Sequence, residues 1–208
     1  QLQIIEEESF SNSAIEEFTF PPHLTQICKR AFSECQNLKK IKFPENSELQ
    51  VIEEEAFSYS AIEEFTFPPH LTQICKRAFS ECQNLKKIKF PENSELKIIE
   101  DEAFSGTTIE ELNLPSSLEK LENHCFFKLL KLTKVTVDPK NKYFQSYKDK
   151  FILRNSTNEQ EKFDILVFCV RRFKTVKIPD FIEVIDQMCL KNMINFTILN
   201  FLIIQNFD

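Results

Sequence analysis

One segment of the chain occurs twice, and this duplication limits the possible folds more than any other feature. Residues 13–49 recur without a change as residues 60–96, at an offset of 47. Within this block, leucines start shorter units that are alternately 22 and 25 residues long. The leucines are Leu2, Leu24, Leu49, Leu71, Leu96 and Leu118. Periods of about 20–50 residues are typical of solenoids, whose units bury their apolar sides against each other.

Every unit has the same apolar frame, which predicts one short strand and one aromatic column. An aliphatic residue stands three positions after the leucine, and a phenylalanine stands eight positions after it. The phenylalanines are Phe10, Phe32, Phe57, Phe79, Phe104 and Phe126. An apolar–x–x–apolar–x–apolar segment follows, as in Ile62, Phe65 and Phe67, and in the first five units a proline comes next. We expect its strands to stack in parallel about 4.8 Å apart, with the phenylalanines inside.

Composition and charge exclude several classes of function. Gly106 is the only glycine, whereas dinucleotide-binding and P-loop motifs need several close together. With 32 acidic and 26 basic residues the net charge is −6, so we predict no nucleic-acid partner. No CxxC pair and no EF-hand spacing is present, and we predict neither a metal site nor a cofactor. The longest apolar stretch, residues 194–207, is shorter than the about 20 residues of a membrane span.

The unit LTQICKRAFSECQNLKKIKFP occupies residues 24–44 and again 71–91. It resembles the BspA-like leucine-rich repeats of bacterial and protozoan surface antigens, which read I-x-x-I-x-x-x-A-F-x-x-C-x-x-L-x-x-I-x-I-P. The resemblance implies a leucine-rich-repeat solenoid, mainly β, in which short parallel strands stack with short helical turns and proline turns. It also implies a curved shape that binds other macromolecules, often at a cell surface, and it implies no catalytic residue.

The resemblance also accounts for an interruption late in the chain. In this family a β-hairpin often interrupts the array, and its motif matches Phe144, Ser146, Asp149 and Leu153, followed later by Ile178. We therefore divide one continuous solenoid into six repeats (1–142), a β-hairpin insertion (143–178) and a seventh repeat (179–208). The seventh repeat places its apolar residues at Ile182, Ile185, Leu190, Met193, Phe196, Leu199 and Phe201.

Strand alternation predicts two outward columns of polar residues. The first column alternates in sign from unit to unit: Glu17, Lys40, Glu64, Lys87, Glu111 and Lys134. The second column is Thr19, Lys42, Thr66, Lys89, Asn113 and Thr136. Opposite charges on adjacent strands stabilise a sheet, and like charges destabilise it. Duplication of a single repeat would place like charges side by side, which explains why the duplicated segment contains two repeats. We expect these columns to line the concave face and to bind a partner; the alternative is a solvated sheet that only neutralises itself.

We expect a second set of charges on the other side of the solenoid from the two columns. The acidic runs 6–8, 53–55 and 100–102 alternate with basic pairs that begin at Lys29 and Lys76.

Apolar or small residues share the positions of four cysteines, which we expect to be buried: Cys35, Cys82, Cys125 and Cys189. Acidic residues share the position of Cys28 and Cys75, which we expect to be exposed. Cys75 lies five residues from His70, but no third residue is positioned to orient such a pair, and we predict no catalysis.

The sequence thus favours a non-catalytic protein–protein interaction or adhesion module of a surface or secreted protein, whose partner is a protein or a host or cell-surface macromolecule. The alternative is an intracellular leucine-rich-repeat scaffold or regulator, because buried thiols suit a reducing compartment equally well. A Cys-dependent hydrolase and a non-functional fragment are further alternatives. Because the chain begins with Gln1 and not with methionine, we expect the natural amino terminus to precede it.

Overall fold

The computed structural model describes residues 1–122, 124–156, 162–170, 175–186, 189 and 197–199, which form eighteen β-strands and no helix. A first parallel sheet takes one two-residue strand from each of six turns, and each strand ends on the aliphatic residue of the repeat. Its strands are β1 (Ile4–Ile5), β3 (Gln26–Ile27), β5 (Val51–Ile52), β7 (Gln73–Ile74), β9 (Ile98–Ile99) and β11 (Lys120–Leu121).

A second parallel layer contains the strands that the apolar pattern predicts. One pair is β2 (Glu17–Thr19) with β4 (Lys40–Lys42). Four further strands form a sheet: β6 (Glu64–Thr66), β8 (Lys87–Lys89), β10 (Glu111–Leu114) and β12 (Lys134–Val137). Their register pairs equivalent positions of successive turns, such as Phe65 with Ile88 and Leu112 with Val135. The solenoid and the predicted frame of its repeats are therefore confirmed.

Tight turns, rather than the expected short helical turns, form the remaining side of the described solenoid. In each turn two residues four positions apart have a left-handed backbone, with φ between 54° and 73°. The pairs are Glu8 and Asn12, Arg30 and Glu34, Glu55 and Tyr59, Arg77 and Glu81, Glu102 and Gly106, and His124 and Lys128. A left-handed residue ends any right-handed helical run. The turns instead bond to each other, as when the Phe57 N–H donates to the Ala78 carbonyl (2.8 Å).

Most of the core is one continuous cluster along the solenoid, whose centre is the predicted column of phenylalanines, and a smaller second cluster surrounds Phe151. The rings of successive turns stack, with centroids 5.3 Å apart from Phe57 to Phe79 and from Phe79 to Phe104. A second stack lies at the strand ends, where the Phe67 and Phe90 centroids are 4.6 Å apart. The repeat leucines are also buried, except Leu2 of the first turn, which is exposed.

The insertion is an antiparallel unit of three strands: β13 (Phe144–Tyr147), β14 (Phe151–Asn155) and β15 (Phe163–Cys169). The turn between β13 and β14 has two left-handed residues, Lys148 and Asp149. The Lys150 N–H closes this turn on the Tyr147 carbonyl (3.2 Å).

The solenoid continues after the insertion with two pairs of parallel strands. β17 (Val184–Ile185) pairs with β15, while β16 (Thr175–Lys177) pairs with β18 (Thr197–Leu199). Of the apolar positions predicted for the seventh repeat, Ile182 and Ile185 pack on the cluster around Phe151. Leu190, Met193, Phe196 and Phe201 lie outside the described residues. The boundaries 143–178 and 179–208 stay predictions.

Candidate functional site

The two predicted columns lie on the outer surface of the second strand layer. The alternate residues of these strands face the core: Phe65 and Leu112 are buried, whereas Phe18 and Ile41 of the first pair are half-buried. Ten of the twelve column residues are exposed, and Lys134 and Thr136 near the insertion are half-buried. The short strands thus hold a double row of polar side chains at one register. We call this surface the outer strand face.

Ion pairs along the first column follow the predicted alternation of sign. The register places Glu17 beside Lys40 and Glu64 beside Lys87. Their side chains are in contact, with Nζ–Oε1 distances of 3.0 and 3.2 Å. The hydrogen bond and charge of Lys40 hold the pKa of the Glu17 carboxyl below its ordinary value. Lys42, in the second column, also approaches Glu17 (3.7 Å).

The ion pairs differ in the last turns of the outer strand face, next to the insertion. Glu111 lies between Lys87 and Lys134 in the register, but Lys134 contacts Asp149 of the insertion turn (3.7 Å). The Thr136 hydroxyl donates to the Asn113 side-chain oxygen. Among the described residues, neither Glu111 nor Lys89 has an oppositely charged partner within 4.0 Å. These two charges are therefore available to a ligand.

The second set of charges forms a ladder along the tight turns. Lys29 pairs with Glu54 (2.9 Å), and Arg30 pairs with Glu55 of the next turn (2.5 Å). The second copy of the repeat pairs Arg77 with Glu102 in the same way. Hydrogen bonds from Lys29 and Arg77 lower the pKa values of the Glu54 and Glu102 carboxyls from their ordinary value. We call this set of ion pairs the turn charge ladder.

The turn charge ladder makes stability depend on pH. Carboxyls whose pKa is lowered by folding stabilise the folded chain fully at pH values above the ordinary pKa of glutamate. This stabilisation is lost as the pH falls through the lowered pKa values of the folded state. We expect a lower urea midpoint at pH 3 than at pH 7. In R77Q, which removes the partner of Glu102, the difference should be smaller. Equal midpoints of the unchanged protein at both pH values would contradict this prediction.

The cysteines give no support to a thiol catalyst. The four cysteines predicted to be buried are buried, as is Cys169, but Cys28 and Cys75 are half-buried rather than exposed. Burial, and then the nearby Glu100, Glu53 and Glu54, raise the pKa of Cys75 to about 12. Its thiol is therefore protonated at neutral pH and is a weak nucleophile. The His70 ring, considered as its base, contacts Glu95 of the next turn (3.1 Å).

Nor do the described residues bring together a metal-binding group of three or more His, Cys, Asp or Glu side chains. No helix in this part of the chain is long and apolar enough to cross a membrane.

A solenoid of stacked parallel strands, with a leucine starting each turn, defines a leucine-rich-repeat protein. The family model described as the BspA type leucine rich repeat region, in six copies, matches residues 3–133 and 50–158. The chain belongs to this family. No curated protein sequence matches it.

Solved structures with the same fold include a pneumococcal vaccine antigen and a bacterial cell surface protein. The pneumococcal vaccine antigen PcpA is 28% identical with a TM-score of 0.78, over 88% of this chain and 46% of its own length. A leucine rich cell surface protein from Faecalibacterium prausnitzii A2-165 is 19% identical with a TM-score of 0.63, over 86% of this chain and 53% of its own. The chain thus spans about half the length of these two proteins.

Proposed function

We propose that the chain is a non-catalytic interaction or adhesion module of a cell-surface protein and that the outer strand face binds its partner. The partner is a protein or another macromolecule of a cell surface. The observation that carries this proposal is the double row of exposed polar side chains held on parallel strands. Strands buried on one side keep the other side in a fixed register, so side chains from several turns contact one partner together.

The comparisons support the surface part of the proposal. The 28% identical structure is an antigen of a vaccine, and a second protein of the same fold is a cell surface protein. A vaccine antigen has to be reached by antibodies, which favours an exposed position for a related array. We therefore propose a surface or secreted location for this chain.

One observation favours the intracellular scaffold as the second candidate. The buried thiols of Cys35 and Cys82 donate hydrogen bonds to the carbonyls of Phe10 and Phe57 (3.0 Å each). Both hydrogen bonds require the cysteines as reduced thiols, which a cytosolic compartment maintains. Detection of the chain by antibodies on intact cells of its source would reject this candidate, and detection only after lysis would favour it.

Reversing two charges of the outer strand face should weaken binding to a cell surface. The probe is the surface of intact cultured epithelial cells, with the labelled protein measured by flow cytometry. K40E/K87E removes two exposed cations that contact Glu17 and Glu64. We expect the half-saturating concentration to rise about tenfold or more.

The matched control is K97E/K120E, which makes the same change of charge on the segment that leads into β9 and on β11, in the other sheet. Its binding should equal that of the unchanged protein, and both variants should keep the parent's circular dichroism spectrum. Equal binding of all three proteins would reject the outer strand face. Absence of saturable binding by the unchanged protein would contradict the adhesion proposal.

A further inference from the structure

A groove of about 530 Å³ runs along the tight turns, away from the outer strand face. It begins at Glu8 and Ser11 in the first turn and reaches Phe127 and Lys128 in the sixth. At about 4.8 Å for each step between turns, its length is about 24 Å. The volume lies within the range of about 300–1,000 Å³ that ligand sites occupy. We call this feature the turn groove.

The floor of the turn groove is a row of serine hydroxyls, one from each of the first five turns. The Ser33 and Ser58 hydroxyls bond to each other (3.0 Å). Ser80 and Ser105 continue the row and are 9% and 4% exposed. Within the described part of the chain, neither of these two hydroxyls has a hydrogen-bond partner. Buried polar groups are normally satisfied, so the turn groove is the place from which their partners come.

One wall of the turn groove belongs to the turn charge ladder, whose charges are already compensated. Arg30 contacts Glu55, and Arg77 contacts Glu102. These side chains are held by their ion pairs, and Glu55 keeps only 18% of its side chain exposed. These ion pairs offer oriented donors and acceptors. The whole lining holds five glutamates against Arg30, Arg77 and Lys128, a net charge of −2, which disfavours a phosphate. A neutral polar ligand suits the paired groups of such a lining.

Tyr59 adds an aromatic surface to the turn groove. It is 56% exposed, although it stands in the middle of the row of turns and in a left-handed conformation (φ 58°). A tyrosine offers an apolar ring face together with a hydroxyl. The position does not require this side chain, because Asn12 occupies the equivalent place in the first turn with φ 55°.

The backbone of the tight turns is not available to a ligand. The Tyr59 N–H donates to the Ser80 carbonyl (2.9 Å), and the Glu81 N–H donates to the Ser105 carbonyl (2.7 Å). The same pattern repeats from turn to turn, so an extended peptide finds no free main-chain edge on which to add a strand. Recognition in the turn groove therefore relies on hydroxyl, carboxylate, guanidinium and phenol groups.

From these observations we infer that the turn groove binds a linear, neutral oligosaccharide. Its hydroxyls pair with Ser80, Ser105 and the ion-paired carboxylates, and one sugar ring lies against Tyr59. The regular rise of one hydroxyl per turn suits a polymer of repeated rings. This inference is independent of the outer strand face, which lies on other strands of the solenoid.

Calorimetric titration with defined hexasaccharides tests the inference. The probes are cellohexaose, chitohexaose and maltohexaose, with a ten-residue Gly-Ser peptide as the competing class. We expect saturable binding of at least one sugar with a Kd of about 1 mM or tighter. Absence of saturable binding by all three sugars overturns the inference, and so does binding of the peptide alone.

Two variants locate the site. S80A/S105A should weaken sugar binding about tenfold, as expected for the loss of one or two hydrogen bonds, without lowering the melting temperature. Y59N should also weaken binding and should fold normally, because asparagine already occupies this position in the first turn. Unchanged affinity in both variants overturns the inference, and so does a melting temperature of S80A/S105A that falls as if internal hydrogen bonds were lost.

K40E/K87E separates this inference from the proposed function. It alters the outer strand face and leaves the turn groove intact, so its sugar affinity should equal that of the unchanged protein. An equal loss of sugar binding in K40E/K87E would overturn the assignment to the turn groove, whatever the result with cells.

Discussion

Phe79→Ala should lower the free energy of unfolding by about 3–5 kcal/mol. Phe79 is fully buried, and its ring stacks between those of Phe57 and Phe104. It also meets the Phe65 ring edge to face, with centroids 4.8 Å apart. Alanine would leave a cavity in the middle of the column, which the hydrogen-bonded turns on both sides keep from collapsing. Urea unfolding followed by circular dichroism measures the change.

Phe10→Ala is the matched control for this prediction. Phe10 belongs to the same column but lies in the first turn, where its ring stacks on Phe32 on one side only, meets Phe18 edge to face and is half-buried. The same substitution should therefore cost clearly less than in Phe79→Ala. If Phe79→Ala left the urea midpoint unchanged, the assignment of this phenylalanine to the interior of the solenoid would be contradicted.

Asn141→Ala should lower the free energy of unfolding by about 2–4 kcal/mol. The Asn141 side chain is buried and satisfies four backbone groups where the sixth turn meets the insertion. Its amide nitrogen donates to the carbonyls of Pro115 and Leu118 (2.9 Å each). Its amide oxygen accepts from the N–H groups of Tyr143 (2.8 Å) and Phe144 (2.7 Å). Alanine leaves these groups without their partners in a mostly buried site.

Two further substitutions test the cause of this loss. Asn141→Asp keeps the acceptor and removes the donor, so it should be destabilising even though the shape is unchanged. Asn113→Ala changes an exposed asparagine of β10 and should alter stability by at most about 0.5 kcal/mol. Equal midpoints of Asn141→Ala and Asn113→Ala would show that the four hydrogen bonds contribute nothing net.

The repeat frame was predictable because burial dictates it. Leucine, isoleucine and phenylalanine recur at fixed spacings, and a shift by one residue would expose every inward side chain of a strand. The sign of neighbouring charges was predictable for the same reason, since the register that buries Phe65 also places Glu64 beside Lys87. The features that depend on the spacing of apolar residues were therefore accessible without a structure.

The conformation of the tight turns was not accessible in this way. Glycine and asparagine are the residues that favour a left-handed backbone, but only Asn12 and Gly106 of the twelve turn positions are of these types. The others include Arg30, Glu55 and Tyr59, whose sequence carries no such signal. Hydrogen bonds between turns stabilise this backbone, and they exist only once the solenoid has formed.

Asn141 and Cys75 were missed or misjudged for a related reason. Each depends on groups from another turn or from the insertion, which no local pattern reveals. Asn141 follows Pro139, which stands one position later in the sixth unit than the prolines of the first five. This departure from the repeat was the one available signal. Cys75 shares its position with acidic residues of other units, yet the side chains around it leave it half-buried.

The identical segments 13–49 and 60–96 make the length of this array adjustable in one particular step. Loss or gain of 47 residues brings together strands whose like is already adjacent elsewhere in the array. The strands β4 and β8 have the same Lys-Ile-Lys sequence, and a strand that begins with glutamate lies beside each of them: β6 beside β4 and β10 beside β8. A change by a single unit would instead place glutamate on glutamate and lysine on lysine. Recombination between the identical segments can thus shorten or lengthen the gene product in pairs of turns, and every new junction reproduces an old one.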